Sequence, residues 1–94
     1  MNTLELCNQV ARLVVPPYRE YEPFTSLDMP FAQSALDSLE VLMCAVYLCE
    51  IYGVSDEESR TLPPPKCWSE MLDGVAKFAT REVPDVATAM GYIV

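Results

Sequence analysis

Ser38 is the residue of this chain best placed for covalent chemistry. It stands between Asp37 and Leu39, where a long connection gives way to an apolar helical pattern. A serine in the first turn of a helix meets free backbone N–H groups and the positive end of the helix dipole. Both favour a phosphate ester on its hydroxyl. Asp37 places a carboxylate beside it that a basic enzyme surface can grip. Read without any modification, the same two residues are a helix cap and a solvated first-turn serine.

Other chemistries lack their parts. With no histidine, no Ser-His pair can form and no cysteine has its usual base. Cys7, Cys44, Cys49 and Cys67 contain no C-x-x-C pair, so no metal site is expected. Three of the four lie in apolar helical patterns, where a free thiol behaves as a small hydrophobe. Reduced thiols are expected rather than a disulfide framework. Asp56-Glu57-Glu58 lacks the spacing of a calcium loop, and three glycines make no phosphate-cradling loop.

Six basic residues face fourteen acidic ones, a net charge of -8. Such a surface repels nucleic-acid backbones, which outweighs any stacking surface from Trp68 and the tyrosines. It favours partners that present Lys and Arg. The uncharged runs Val41–Cys49 and Val86–Val94 are too short to span a bilayer. Met1-Asn2-Thr3-Leu4-Glu5 lacks the basic start and long apolar stretch of a signal peptide, so the expected location is the cytoplasm.

The elements that must position Ser38 are helical. Leu6, Val10, Leu13 and Val14 form one apolar stripe over Thr3 to Val15, with Thr3 as the expected N-cap and Pro16-Pro17 as the stop. Pro16, Pro17, Pro23 and Pro30 prevent a long helix between Pro16 and Leu36. The apolar Tyr18, Tyr21, Phe24, Leu27, Met29 and Phe31 are expected to tether that stretch, with one short helical turn at most. Asp37 to Tyr52 reads as the clearest helix: Asp37 and Glu40 form a capping box, and Gly53 takes the left-handed cap position. Ser55-Asp56-Glu57-Glu58 starts a short helix ended by Pro63-Pro64-Pro65, with Leu62 as its expected core anchor. Met71, Leu72, Val75, Phe78 and Ala79 predict a last main helix over Trp68–Thr80. The expected fold is all-α: a bundle of three longer helices plus one short one, with a long first loop. Residues 1–80 form the expected domain, and 81–94, containing Pro84 and Gly91, form a C-terminal extension that costs little to remove.

From Leu4 to Ala79 the chain resembles the acyl carrier protein family. The resemblance rests on Asp37-Ser38-Leu39 after a long loop, the acid-led short helix at Ser55–Leu62 and the amphipathic helix at Trp68–Ala79. It implies a four-helix acyl-carrier-like bundle that is not an enzyme. In such carriers a transferase moves the phosphopantetheine group of coenzyme A onto the serine. Ser38 would then carry 4'-phosphopantetheine, with Asp37 and Leu39 recognised by the phosphopantetheinyl transferase. The arm holds acyl groups as thioesters for a ketosynthase and other acyl-processing enzymes. By the same resemblance Leu42, Val46, Leu62 and Met71 are candidates for an acyl cleft, with simple core packing as the alternative for each. Glu40, Val41, Met43 and Tyr47 are candidates for the partner surface. The chain is expected as a monomer or in a hetero-complex with a pathway enzyme.

The sequence also departs from that family's pattern. Ala35 replaces the usual glycine two residues before Asp37, Met43 and Cys49 replace expected acids, and Pro63–Pro65 lengthens the link to the last helix. These departures point to a specialised pathway of polyketide or aryl-polyene type rather than general fatty acid biosynthesis. Two other readings stay open: a carrier of aminoacyl or peptidyl groups, and an unmodified helical adaptor that binds a partner through its apolar second helix.

Overall fold

The computed structural model describes residues 1–93; Val94 lies outside them. It is all-helical, and no strand occurs among the described residues. Five α-helices follow in order: α1 Thr3–Val14, α2 Ser38–Tyr52, α3 Asp56–Ser59, α4 Trp68–Ala76 and α5 Val86–Gly91. A 3-10 turn at Phe31–Gln33 interrupts the long connection between α1 and α2. The count exceeds the expected four by α5.

α1 is amphipathic and buries Leu6, Cys7, Val10, Ala11 and Val14. Its cap is Asn2 rather than Thr3: the Asn2 side chain accepts from the Glu5 N–H at 3.0 Å, which places Thr3 inside the helix. α2 buries Cys44, Leu48, Cys49 and Ile51 against α1 and α4. Gly53 closes α2 with φ 70°, a conformation glycine adopts without steric cost. The last carbonyls of α2 then find donors from beyond α4. Arg81 donates to the Ile51 carbonyl at 2.9 Å and the Glu50 carbonyl at 2.7 Å, and the Thr80 hydroxyl donates to the Gly53 carbonyl at 2.8 Å.

That arrangement also shortens α4. The helix stops at Ala76, not at Thr80. Its final turn tightens into three-residue bonds from Lys77 and Phe78, and Thr80 N–H crosses to the Tyr52 carbonyl at 2.9 Å. Helical continuation and this crossing exclude each other.

The long connection packs through its apolar side chains. Phe24 and Phe31 are buried and meet Trp68 edge to face, with ring centroids 5.6 and 5.3 Å away. Tyr21, Leu27 and Met29 pack on the core from the side, whereas Tyr18 is 90% exposed and tethers nothing. Polar groups pin the same path. Asn8 on α1 accepts from Phe24 N–H at 2.7 Å and from the Tyr21 hydroxyl, and donates to the Phe24 carbonyl at 3.1 Å. On the other side, Phe31 N–H reaches the Lys66 carbonyl and Ser69 N–H the Leu27 carbonyl. The loop is thereby sewn to α1 and to the start of α4.

Residues 81–93 form part of the core rather than an appendage. Asp85 caps α5 by accepting from Thr88 N–H at 2.7 Å. α5 packs on α1, with Ala89 fully buried and Val83, Val86, Met90 and Ile93 against the core. No helix of the described residues is long and apolar enough to cross a membrane.

Candidate functional site

Ser38 is the first residue of α2 and is exposed. The capping box around it is complete. Asp37 accepts from Glu40 N–H at 2.8 Å, and Glu40 accepts from Asp37 N–H at 3.0 Å. The two bonds brace the backbone on either side of Ser38, so its hydroxyl projects from a fixed turn. Asp37 and Leu39 are also exposed, Leu39 at 63%.

Below Ser38 opens a cleft of about 750 Å³ between α2, α4 and the link that joins α3 to α4. Its α2 wall includes Val41, Leu42, Ala45 and Val46; Met71 and Val75 line it from α4; Leu62 and Pro63–Pro65 close the third side. Leu42, Val46, Leu62 and Met71 therefore share one cavity with Ser38 and Asp37. Leu42 and Val46 are 60% and 53% exposed, although both are apolar and belong to the longest helix. Met71 is 4% exposed and serves the core as well as the cleft.

Leu62 differs from its expected role. It follows the end of α3 at Ser59 and does not anchor that helix in the core. It lies instead on α4 at Gly74, where an added Cβ would stand 3.3 Å from Leu62 Cδ2. Leu62 and the three prolines after it line the same side of the cleft. Glu70, Asp73 and Lys77 supply charge along the cleft.

The residues expected at the partner surface separate into three kinds. Met43 is 38% exposed. Val41 and Tyr47 are half-buried and pack on the core, with Val41 turned to the cleft. Glu40 is not an available surface carboxylate: it is 6% exposed and engaged by Arg19, whose guanidinium donates to both carboxylate oxygens at 2.6 and 2.5 Å. That bond raises the Arg19 pKa above its ordinary value. Arg19 lies 21 residues before Glu40, and nothing in either residue's local pattern signals the pairing. Leu39, Leu42, Met43 and Val46 thus form an exposed apolar stripe at helical spacing on α2.

All four cysteines are free and buried. Burial pushes the Cys7 and Cys44 thiols up to about 12, so both stay protonated at neutral pH. No cluster of three or more His, Cys, Asp or Glu side chains that could hold a metal occurs among the described residues.

No family model, no curated protein and no solved structure matches this chain.

Proposed function

We propose that this protein is an acyl carrier that bears 4'-phosphopantetheine on Ser38. One observation carries the reading: the exposed hydroxyl of Ser38, at the braced first turn of α2, stands at the mouth of an apolar cleft. The arrangement suits a tethered apolar chain, whereas a nucleophilic serine needs an adjacent base and the chain has no histidine. The arm, when attached, supplies a thiol that holds acyl groups as thioesters. Ser38 holds the arm where the α2 N–H groups and helix dipole favour its phosphodiester. Asp37 and the exposed Leu39 offer the phosphopantetheinyl transferase a carboxylate and an apolar contact. Leu42, Val46, Leu62 and Met71 shelter the acyl tail, and each methylene taken from water contributes about 0.8 kcal/mol. In this reading α1, α2 and α4 are the three longer helices of an acyl-carrier-like bundle, α3 is the short one and α5 is an addition. The cargo is then an acyl or polyketide-type intermediate of a specialised pathway in the cytoplasm, presented to a ketosynthase and related enzymes.

Intact mass after co-expression with a broad phosphopantetheinyl transferase tests the reading. The chain should gain one phosphopantetheine group. No gain would leave the second reading, an unmodified adaptor, which the exposed stripe on α2 favours.

The stripe also predicts how a pathway enzyme docks. Met43→Glu should weaken that enzyme's binding by about 1–3 kcal/mol, the usual cost of spoiling an interface contact. The interaction should tolerate moderate salt, because Glu40 is already neutralised by Arg19. Met43 lies outside the core, so the melting temperature of Met43→Glu should stay within about 4 °C of wild type. A larger drop in thermal melting would show that Met43 supports the fold and not the interface.

A further inference from the structure

The capping box of α2 carries one feature that a helix cap does not require. A cap satisfies two backbone N–H groups and is complete with Asp37 and Glu40 alone. Here a third residue, from near the start of the long loop, closes on it. Arg19 donates to both oxygens of the Glu40 carboxylate, which is 7% exposed in its side chain, while Arg19 itself is 36% exposed. The Arg19 Nε is buried and has no partner among the described residues. Glu40 is the side chain to which the guanidinium donates, and the Asp37 carboxylate adds its charge nearby. The loop is shaped for this placement: Pro16-Pro17 stiffens the chain, and Arg19 N–H closes a turn on the Pro16 carbonyl at 3.0 Å. Helix termini fray when their first turn is held only by local bonds. With Arg19 in place, the Glu40 oxygen that holds Asp37 N–H is fixed from outside the helix.

We propose that Arg19 is a positioning residue for the modification of Ser38, acting through Glu40 to hold the Asp37–Ser38 peptide in the orientation that the transferase meets. The inference rests on the carrier reading. In the transfer, a bond forms between Ser38 Oγ and the phosphorus of coenzyme A's pyrophosphate that bears pantetheine. The P–O bond to the leaving group breaks, 3',5'-ADP departs, and the hydroxyl proton passes to the transferase. A small displacement of Oγ from its line of attack slows such a step strongly. Arg19 touches neither the hydroxyl nor the phosphorus; it sets where the hydroxyl stands.

The test uses the full chain, coenzyme A, magnesium and a broad phosphopantetheinyl transferase. The variants are Arg19→Lys, the double change Arg19→Met with Glu40→Gln, and Arg60→Met as a control for loss of one exposed positive charge. The double change leaves no buried carboxylate without a partner, so it keeps the fold testable where Arg19→Met alone fails to fold. Its kcat should fall about 10-fold while the KM for the carrier stays within about twofold, the signature of lost transition-state geometry rather than lost binding. Arg19→Lys should recover part of that loss, and Arg60→Met should match wild type. Amide hydrogen exchange at Asp37, whose N–H the Glu40 carboxylate holds, should quicken in the double variant without any transferase present, as read by NMR. A double variant with wild-type kcat overturns the role, as does a rise in KM with kcat unchanged, which would make Arg19 a direct transferase contact. A wild-type chain that accepts no arm overturns the carrier reading and this role with it. Exchange at Asp37 then still reports whether Arg19 braces the box.

Discussion

Ser38→Ala should accept no phosphopantetheine and should melt like wild type. The two halves of that result have separate causes. Acceptance needs a hydroxyl oxygen at the first position of α2, and alanine removes only that oxygen. Ser26, Ser34, Ser55, Ser59 and Ser69 do not substitute for it, since none stands at the N-terminus of the long helix α2. Each has its hydroxyl in a hydrogen bond: Ser26 Oγ accepts from Asp28 N–H, Ser34 Oγ donates to the Phe31 carbonyl, Ser55 Oγ to Glu58, Ser59 Oγ to the Asp56 carbonyl and Ser69 Oγ to the distant Asp28. Stability is preserved because Ser38 is exposed and the cap belongs to Asp37 and Glu40. Alanine is also the residue best suited to a helix. Intact mass and thermal circular dichroism read the two halves independently. A full mass shift in Ser38→Ala would move the attachment point elsewhere.

Truncation after Thr80 should destabilise the chain substantially, against the expectation that the sequence pattern raises. The cut removes Ala89, which is fully buried, and the side chains of Val83, Val86, Met90 and Ile93, which pack on the core. It strips α1 of its α5 partner. It also deletes Arg81, leaving the Glu50 and Ile51 carbonyls at the end of α2 without these donors. Arg81 further stacks on Tyr92, 4.0 Å from the ring centroid, which links α5 to the end of α2. Partial burial of several apolar side chains, set against the entropy of ordering one short helix, amounts to about 3 kcal/mol. For a domain of this size that is a drop of about 12–24 °C in melting temperature. A truncated chain melting within a few degrees of wild type would show that α5 adds nothing to the core.

The difference between these two cases shows what local pattern conveys. The cap of α2 was legible because all its parts lie within four residues, and the left-handed close at Gly53 because glycine alone suits it. The cleft positions Leu42 and Val46 are expected only through the family resemblance; helical spacing on α2 leaves core packing equally open. α5 was not legible as a helix. Pro84 and Gly91 break the apolar periodicity around it, and its signal, Asp85 three residues before Thr88, is a short cap before a weak pattern. Arg19 was missed for a different reason. Its partner is distant in sequence, and a single arginine among Tyr18, Glu20 and Tyr21 reads as a solvated loop residue. Asn8 was missed likewise: an asparagine on a helix carries no local mark that it will hold Phe24 and Tyr21 in place. Long-range polar bonds depend on the packing that precedes them, and no spacing rule encodes that packing.

The aromatic contact at the start of α4 has an optical consequence. Trp68 is the chain's single tryptophan, it is fully buried, and its Nε1 has no partner among the described residues. The rings against it, Phe24 and Phe31, both come from the long loop. The indole is therefore shielded from solvent within the core, with two rings of the loop against it. Its emission is a built-in gauge of loop docking: blue while Phe24 and Phe31 cover it, red as soon as water reaches it. Because the same loop carries Arg19 to Glu40, that colour reports from within the core on the bracing of Ser38 at the surface.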